Sequence, residues 1–294
     1  MSTPETPSPT DRLVHITDVH FWHIALNPLR LLNKRLLGNA NVALRRARHI
    51  HMAHADTFAD AVAATGIQSV LLGGDYTSTA LDEEFRMAAT FIRGLRERGL
   101  QVHAIPGNHD FYTFESVRAR RFERYLSEFI PTGGYPARVA LPGGTPLILV
   151  STVCPNVVSS KGRITDEEIA KVAGLVADAP PGPVVVAGHY PLLHETIAYR
   201  SPPGRQLRNA SAFRDALGAT GRRVQYMAGH VHRFSYAKDE HHENLFHLTT
   251  AAFLLHRRRE GTSGAFGELE VREDGFAAYR HEFRETWQRR TLAE

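Results

Sequence analysis

The sequence predicts an α/β fold, on three observations. Short apolar runs rich in Val, Ile and Leu recur along the 294 residues, amphipathic stretches of helical period separate several of them, and five runs break off into a polar cluster of Gly, Asp, Asn or His. Strands alternating with helices build sheets flanked by helices. In such folds sites form at the carboxyl ends of the strands.

Residues 13–17 are the first strand, ending at Asp18-Val19-His20. In extended backbone, residues two apart share a face, so Asp18 and His20 reach one point. An insertion at about 21–54 mixes Phe21, Trp22, Leu26, Leu29, Leu31, Leu32, Leu36 and Leu37 with Arg30, Lys34, Arg35, Arg45, Arg46 and Arg48. Two accounts fit it: a helical flap whose leucines pack on the core, or a lid that holds a partly apolar anion or touches a membrane. Packing is the commoner fate of amphipathic stretches. Residues 57–65 end a helix closed by Gly66, and 69–72 are a strand terminated by Gly73-Gly74-Asp75, whose glycines let backbone come close to a bound ion. A helix over 82–99 turns Phe85, Ala88, Ala89, Ile92 and Leu95 inward.

The strand 102–105 leads through Pro106 into Gly107-Asn108-His109-Asp110. A helix over about 115–129, strands at 137–141 and 147–151, a helix over 166–177 and a strand at 183–187 ending in Gly188-His189 follow. A short helix at 212–217 precedes the strand 223–228, which closes in Gly229-His230-Val231-His232. Strands at 245–250, 267–272 and 276–281 complete the chain, the last two joined at Glu273-Asp274-Gly275, a hairpin signal. The division expected is a flexible tail over 1–10, one domain over 11–284 and a fraying charged tail over 285–294.

Composition narrows the class. Cys154 is the only cysteine, so no intrachain disulfide is possible and a reducing compartment is expected. No run approaches the eighteen or so apolar residues of a membrane span, which points to a cytoplasmic protein with, at most, peripheral membrane contact through the insertion. A pI near 9.3 favours anionic partners without choosing among them.

The five clusters supply Asp18, His20, Asp75, Asn108, His109, His189, His230 and His232. Oxygen and imidazole donors without thiolate suit Mn, Fe or Zn in an open site rather than a structural zinc knot. Even without His109, seven side chains exceed what one ion needs, and Asp75, midway in the order of clusters, suits a bridge between two.

In that succession, Asp-x-His, Gly-Asp, Gly-Asn-His-Asp, Gly-His and Gly-His-x-His, the chain resembles the calcineurin-like metallophosphoesterases from Asp18 to His232. The resemblance implies a four-layer α-β-β-α sandwich of two mixed β-sheets with a dinuclear centre of two divalent or trivalent ions (Mn, Fe or Zn) at the strand ends. It also implies ligand sets: Asp18, His20, Asp75 and His232 for one ion, and Asp75, Asn108, His189 and His230 for the other. His109 is then the outer-shell histidine that assists the leaving oxygen, oriented by Asp110.

Ions of this kind bring a bound water's pKa near neutrality, and the resulting hydroxide attacks phosphorus. An acid such as His109 adds roughly 10²–10⁴-fold. The expected activity is hydrolysis of a phosphodiester, whether small-molecule, cyclic-nucleotide or lipid-linked. A phosphomonoesterase or nucleotide-lipid pyrophosphatase of the same family is the alternative. A nucleic-acid substrate is disfavoured because no basic track is interleaved with aromatics, and a scaffold that had abandoned catalysis would have no need of every ligand. His49, His51, His54, His194, His241, His242, His247 and His256 read as surface or packing residues, and His23 as one that could face substrate. Arg257, Arg258 and Arg259 read as a solvated loop or an anion clamp, and Cys154 as a packing residue.

Overall fold

The computed structural model describes residues 10–25, 35–41, 44 and 47–293. Its first sheet runs β14 (Trp287–Ala293), β13 (Gly275–Phe283), β12 (Gly264–Arg272), β1 (Asp11–Ile16), β2 (Ser69–Leu72) and β3 (Gln101–Ala104). The second runs β10 (Ser235–Lys238), β11 (Leu245–Thr249), β9 (Val224–Ala228), β7 (Val184–Ala187), β5 (Pro146–Leu149) and β4 (Ala137–Ala140). Both are mixed: β1, β2 and β3 are parallel with β12 antiparallel to β1, and β5, β7, β9 and β11 are parallel with antiparallel β4 and β10 at the edges. A two-stranded ribbon of β6 (Gly162–Arg163) and β8 (Leu207–Arg208) lies apart.

Strand alternation sorts the side chains into layers. Leu13 and Leu71 of the first sheet meet Val185, Ala187 and Met227 of the second in one apolar cluster between the sheets. Their neighbours Val14, Ile16, Val70 and Leu72 point the other way. Between β1 and β3 the chain forms α1 (Arg35–Asn41), α2 (Ala55–Ala63) and α3 (Asp82–Glu97). Phe58 and Val62 of α2 and Phe85, Ala88 and Ile92 of α3 cover that outer face. On the far side, Val184, Val186 and Tyr226 are covered by α6 (Asp166–Ala177) and α7 (Ala210–Ala219), through Val172, Val176, Phe213 and Leu217. The layers are therefore helix, sheet, sheet, helix.

Three expectations need correction. The single helix expected over 115–129 is two, α4 (Phe114–Arg118) and α5 (Arg121–Leu126), broken at Arg120, whose φ of 47° no helix continues through. The fraying tail is instead the edge strand β14, pinned by Trp287, whose ring lies 4.8 Å from Phe58 and 5.0 Å from Phe266. Strand β10, which lacks an apolar alternation, was not expected. Of the insertion, Leu26, Leu29, Arg30, Leu31, Leu32, Lys34, Arg45 and Arg46 lie outside the described residues. The described part divides: Trp22 lies against the core, and the buried Arg35 guanidinium donates to the carbonyls of Thr79 and Ala80 and pairs with Glu115, whereas Leu36 and Leu44 are exposed.

The outer face of β12 carries a buried charge. Glu268 accepts from Arg12 Nη2 (2.7 Å), His281 Nε2 (2.7 Å) and Arg289 Nε (2.9 Å), with its side chain fully covered. Burial alone would raise its pKa, but the hydrogen bonds from His281, Arg289 and Arg12 hold it well below the usual carboxylate range.

Candidate metal centre

All five polar clusters meet at one edge of the sandwich, where β1, β2, β3, β7 and β9 end. Backbone bonds tie the loops together: Asp18 N donates to Gly74 O (2.9 Å), His20 N to Asp75 O (2.9 Å) and Gly229 N to His189 O (3.1 Å). The means of convergence differs from the expected strand alternation. Asp18, His20, Asp75, His230 and His232 all have left-handed backbone, with φ between 54° and 66°. That conformation costs about 1–3 kcal/mol per non-glycine residue and persists only where the surroundings enforce it. Two glycines make the approach possible. A Cβ on Gly107 would lie 2.0 Å from Asp75 N, and one on Gly229 would lie 2.0 Å from Thr17 Oγ1.

The ring nitrogens are oriented by carbonyls. His20 Nδ1 faces Thr77 O (3.3 Å), His109 Nδ1 faces Ser78 O (2.7 Å), His189 Nδ1 faces Gly73 O (2.8 Å) and His230 Nε2 faces Arg205 O (2.9 Å). A carbonyl oxygen only accepts, so each of these nitrogens carries a proton, and the other nitrogen is the one that offers a lone pair when the ring is neutral. Those lone pairs turn toward acceptors. His20 Nε2 stands 3.1 Å from His232 Nε2 and 3.8 Å from Asp75 Oδ2. His189 Nε2 stands 3.2 Å from Asn108 Oδ1 and 3.4 Å from Asp75 Oδ2.

Carboxylate and imidazole atoms brought this close favour positive charge between them. Three clusters of donor atoms fit an ion: Asp18, His20 and His232; His20, Asp75 and His109; and Asp75, His189 and His230, with the atoms of each cluster within 4.8 Å of one another. Asp18 Oδ1 is buried 3.0 Å from His232 Nε2, yet it accepts no well-formed hydrogen bond among the described residues. Its partner Oδ2 is fixed by the amide of His230 (2.9 Å) and the hydroxyl of Thr17 (2.8 Å). The donor set therefore fits a pair of metal ions, with Asp75 common to two of the clusters.

Charge distribution agrees. Burial alone would raise Asp75, but the imidazoles of His189 and His109 outweigh it and bring it to about 2. Burial alone would lower His189, but Asp75 and Asp18 outweigh it and lift it to about 9. Burial and His189 push His230 down to about 3, which keeps it neutral and able to ligate.

Of the nine residues expected at the site, eight contribute side chains to this cluster and Asp110 does not hold His109. Asp110 accepts instead from the amides of Gly107 (2.8 Å), Asp75 (2.9 Å) and Thr77 (3.0 Å) and from Thr77 Oγ1 (3.1 Å), so it fastens the Asp75 loop to the Gly107 turn. Burial and the adjacent Asp75 carboxylate push it up to about 8. His109 is oriented by Ser78 O and by Tyr112, stacked on it at 5.2 Å. His23 is exposed, its backbone amide bonded to Glu84. Arg257 is no solvated loop residue: its guanidinium donates to the carbonyl of His232 and pairs with Glu260. The roles of Ser78 and Arg205 rest on backbone carbonyls, which residue identity does not reveal.

The cluster opens on a cleft of about 400 Å³, whose lining also includes Gly38, Tyr112, Val158, Tyr199, Arg200 and Arg205. Fold and site together define a two-metal hydrolase. The calcineurin-like phosphoesterase family model matches residues 11–234, and the chain belongs to that family, whose members are hydrolases acting on phosphoric esters at a dinuclear centre. Among solved structures, a dimetal phosphatase from Danio rerio is 16% identical with a TM-score of 0.63, the match covering 97% of this chain and 100% of that one. The purple acid phosphatase PPD1 from yellow lupin is 12% identical with a TM-score of 0.60, over 98% of this chain and 55% of that one. A 5'-nucleotidase from Candida albicans is 13% identical with a TM-score of 0.51, over 93% and 51%. At such identities these likenesses speak to the fold. No curated protein matches the sequence. Among the described residues, no helix is long and apolar enough to cross a membrane.

Proposed function

We propose that this chain hydrolyses a phosphodiester, with Asp18, His20, Asp75 and His232 holding one ion and Asp75, Asn108, His189 and His230 the other. Mn, Fe and Zn all suit these donors. Two such ions, when bound, supply Lewis acidity toward phosphoryl oxygens and lower the pKa of a coordinated water toward neutrality. The chain's own residues do the rest. Carbonyl contacts from Thr77, Gly73 and Arg205 fix the tautomers of His20, His189 and His230, so no reorganisation is needed when substrate enters. His109, anchored through Nδ1 to Ser78 O, presents Nε2 on the cleft side, where in its protonated form it donates to the departing ester oxygen.

The observation that carries the diester reading is the cleft, whose lining extends beyond the ligand candidates to Gly38, Tyr112, Val158, Tyr199, Arg200 and Arg205 and so offers contacts to more of a substrate than its phosphoryl centre. Initial rates on bis(p-nitrophenyl) phosphate and p-nitrophenyl phosphate with Mn²⁺ test it. A higher kcat/KM on the diester is expected, and a higher value on the monoester would replace this reading with a phosphomonoesterase. A panel of cyclic nucleotides, nucleoside-diphosphate lipids and sugar phosphates would then rank the ester groups.

A further inference from the structure

We propose that Arg205 forms an anion subsite beside the ligand cluster, and that the substrate carries a second phosphate on the group lying against the Tyr199–Arg205 wall. The inference rests on the phosphoesterase reading above. Among the described residues that line the cleft, Asp75 is the one carboxylate, and it is turned into the ligand cluster. Two guanidinium groups share the lining. Arg200 is engaged with Glu195, Nε to Oε2 at 3.1 Å. Arg205 has no carboxylate partner and no side-chain hydrogen bond among the described residues, so a cation faces a cleft with no acid left to neutralise it.

The backbone beneath that side chain is fixed. The Arg205 carbonyl accepts from His230 Nε2 (2.9 Å) and its amide donates to Pro202 O (2.8 Å). Neighbouring Gly204 and Gln206 accept from the amides of Ser160 (3.0 Å) and Gly162 (3.1 Å), and the ribbon of β6 with β8 begins one residue further on. The backbone that carries the exposed Arg205 side chain is thus bolted to a metal-ligand candidate, which keeps the guanidinium beside the ligand cluster. A planar fork of N–H donors matches a phosphate's oxygens two at a time. A scissile phosphate held by the ions therefore leaves Arg205 to read charge further along the substrate.

Calorimetric titration of the metal-loaded protein with thymidine 3',5'-bisphosphate and thymidine 5'-monophosphate tests this. The wild type should bind the bisphosphate roughly tenfold more tightly than the monophosphate. Arg205→Gln should lose that margin, and Arg205→Lys should keep part of it, since charge remains without the fork. The same margin in wild type and Arg205→Gln, or no margin in the wild type, would overturn the proposal. Metal content should stay at the wild-type level in Arg205→Gln, because the carbonyl and not the side chain meets His230; a loss of metal would make the side chain structural and end the proposal. Failure of the phosphoesterase reading would show separately, as a wild type inert toward bis(p-nitrophenyl) phosphate whatever its binding margin.

Discussion

Two buried carboxylate–histidine clusters belong to the same six-stranded sheet, and they balance their charge in different ways. Glu268 is met by two guanidinium groups and an imidazole, so its charge is cancelled within the protein. Asp18 and Asp75, just beyond the ends of β1 and β2, form ion pairs only with histidines among the described residues. Several of those rings already give one N–H to a carbonyl and aim a lone pair inward. Asp75 and Asp18 also lift His189 to about 9, so the pocket favours positive charge. The difference teaches that a histidine beside a carboxylate marks a metal site only where no arginine has already answered the charge.

The largest effect that could break this comparison comes from Asp75→Asn. Loss of the shared carboxylate should reduce metal in both positions and lower turnover by more than the roughly 10–100-fold typical of outer-shell changes. Elemental analysis showing one ion retained at full occupancy would contradict the bridging assignment. Next, His109→Ala should keep both ions and lose about 10²–10⁴-fold in kcat; parallel loss of metal would make His109 a ligand.

At the other cluster, Glu268→Gln should leave metal content unchanged and lower stability by about 2 kcal/mol at pH 7, because Arg12, His281 and Arg289 lose a charged acceptor. The sign of its pH dependence follows from a carboxyl held below its ordinary value. The contribution is fully present above the unfolded pKa near 4.5 and fades as pH falls toward the folded one. Melting curves of wild type and variant should therefore run apart at neutral pH and draw together below about pH 4.5; a gap that widens with acid would sink the assignment. The smallest effect is expected from His256→Ala. His256 stacks on His51 at 4.9 Å, and the described residues give that pair no carboxylate, so metal and turnover should stay within about twofold of wild type. Metal loss there would show that ring proximity alone can recruit an ion.

Much of this site was legible because each ligand candidate interrupts an apolar run. A buried strand has no packing reason to end in Asp-Val-His or Gly-Asn-His, so the sequence exposes the chemistry where the hydrophobic pattern stops. Less was legible where the decisive partner is backbone. Nothing in the letters of Ser78 or Arg205 announces that their carbonyls set the protons on His109 and His230. Adjacency along the chain suggests His109 as the partner of Asp110, while the fold offers Asp110 three amides. Strands β10 and β14 have no strand signature, because the first has half-buried or exposed residues throughout and the second is polar but for Trp287, Leu292 and Ala293. The left-handed backbone at five of the site residues has no sequence signature in Asp or His, since glycine is the residue that ordinarily marks it.

The crowding at Gly107 and Gly229 bears on how a mutational scan of this protein would look. A methyl group at either position collides with Asp75 or with the Thr17–Asp18 corner, so even alanine should inactivate as surely as loss of a ligand. A map of intolerance drawn from such a library would mark both positions as indispensable although neither has a side chain to offer the reaction. Tolerance data alone would thus count atoms that merely make room among those that react, and only metal content measured variant by variant would tell how each failure arises.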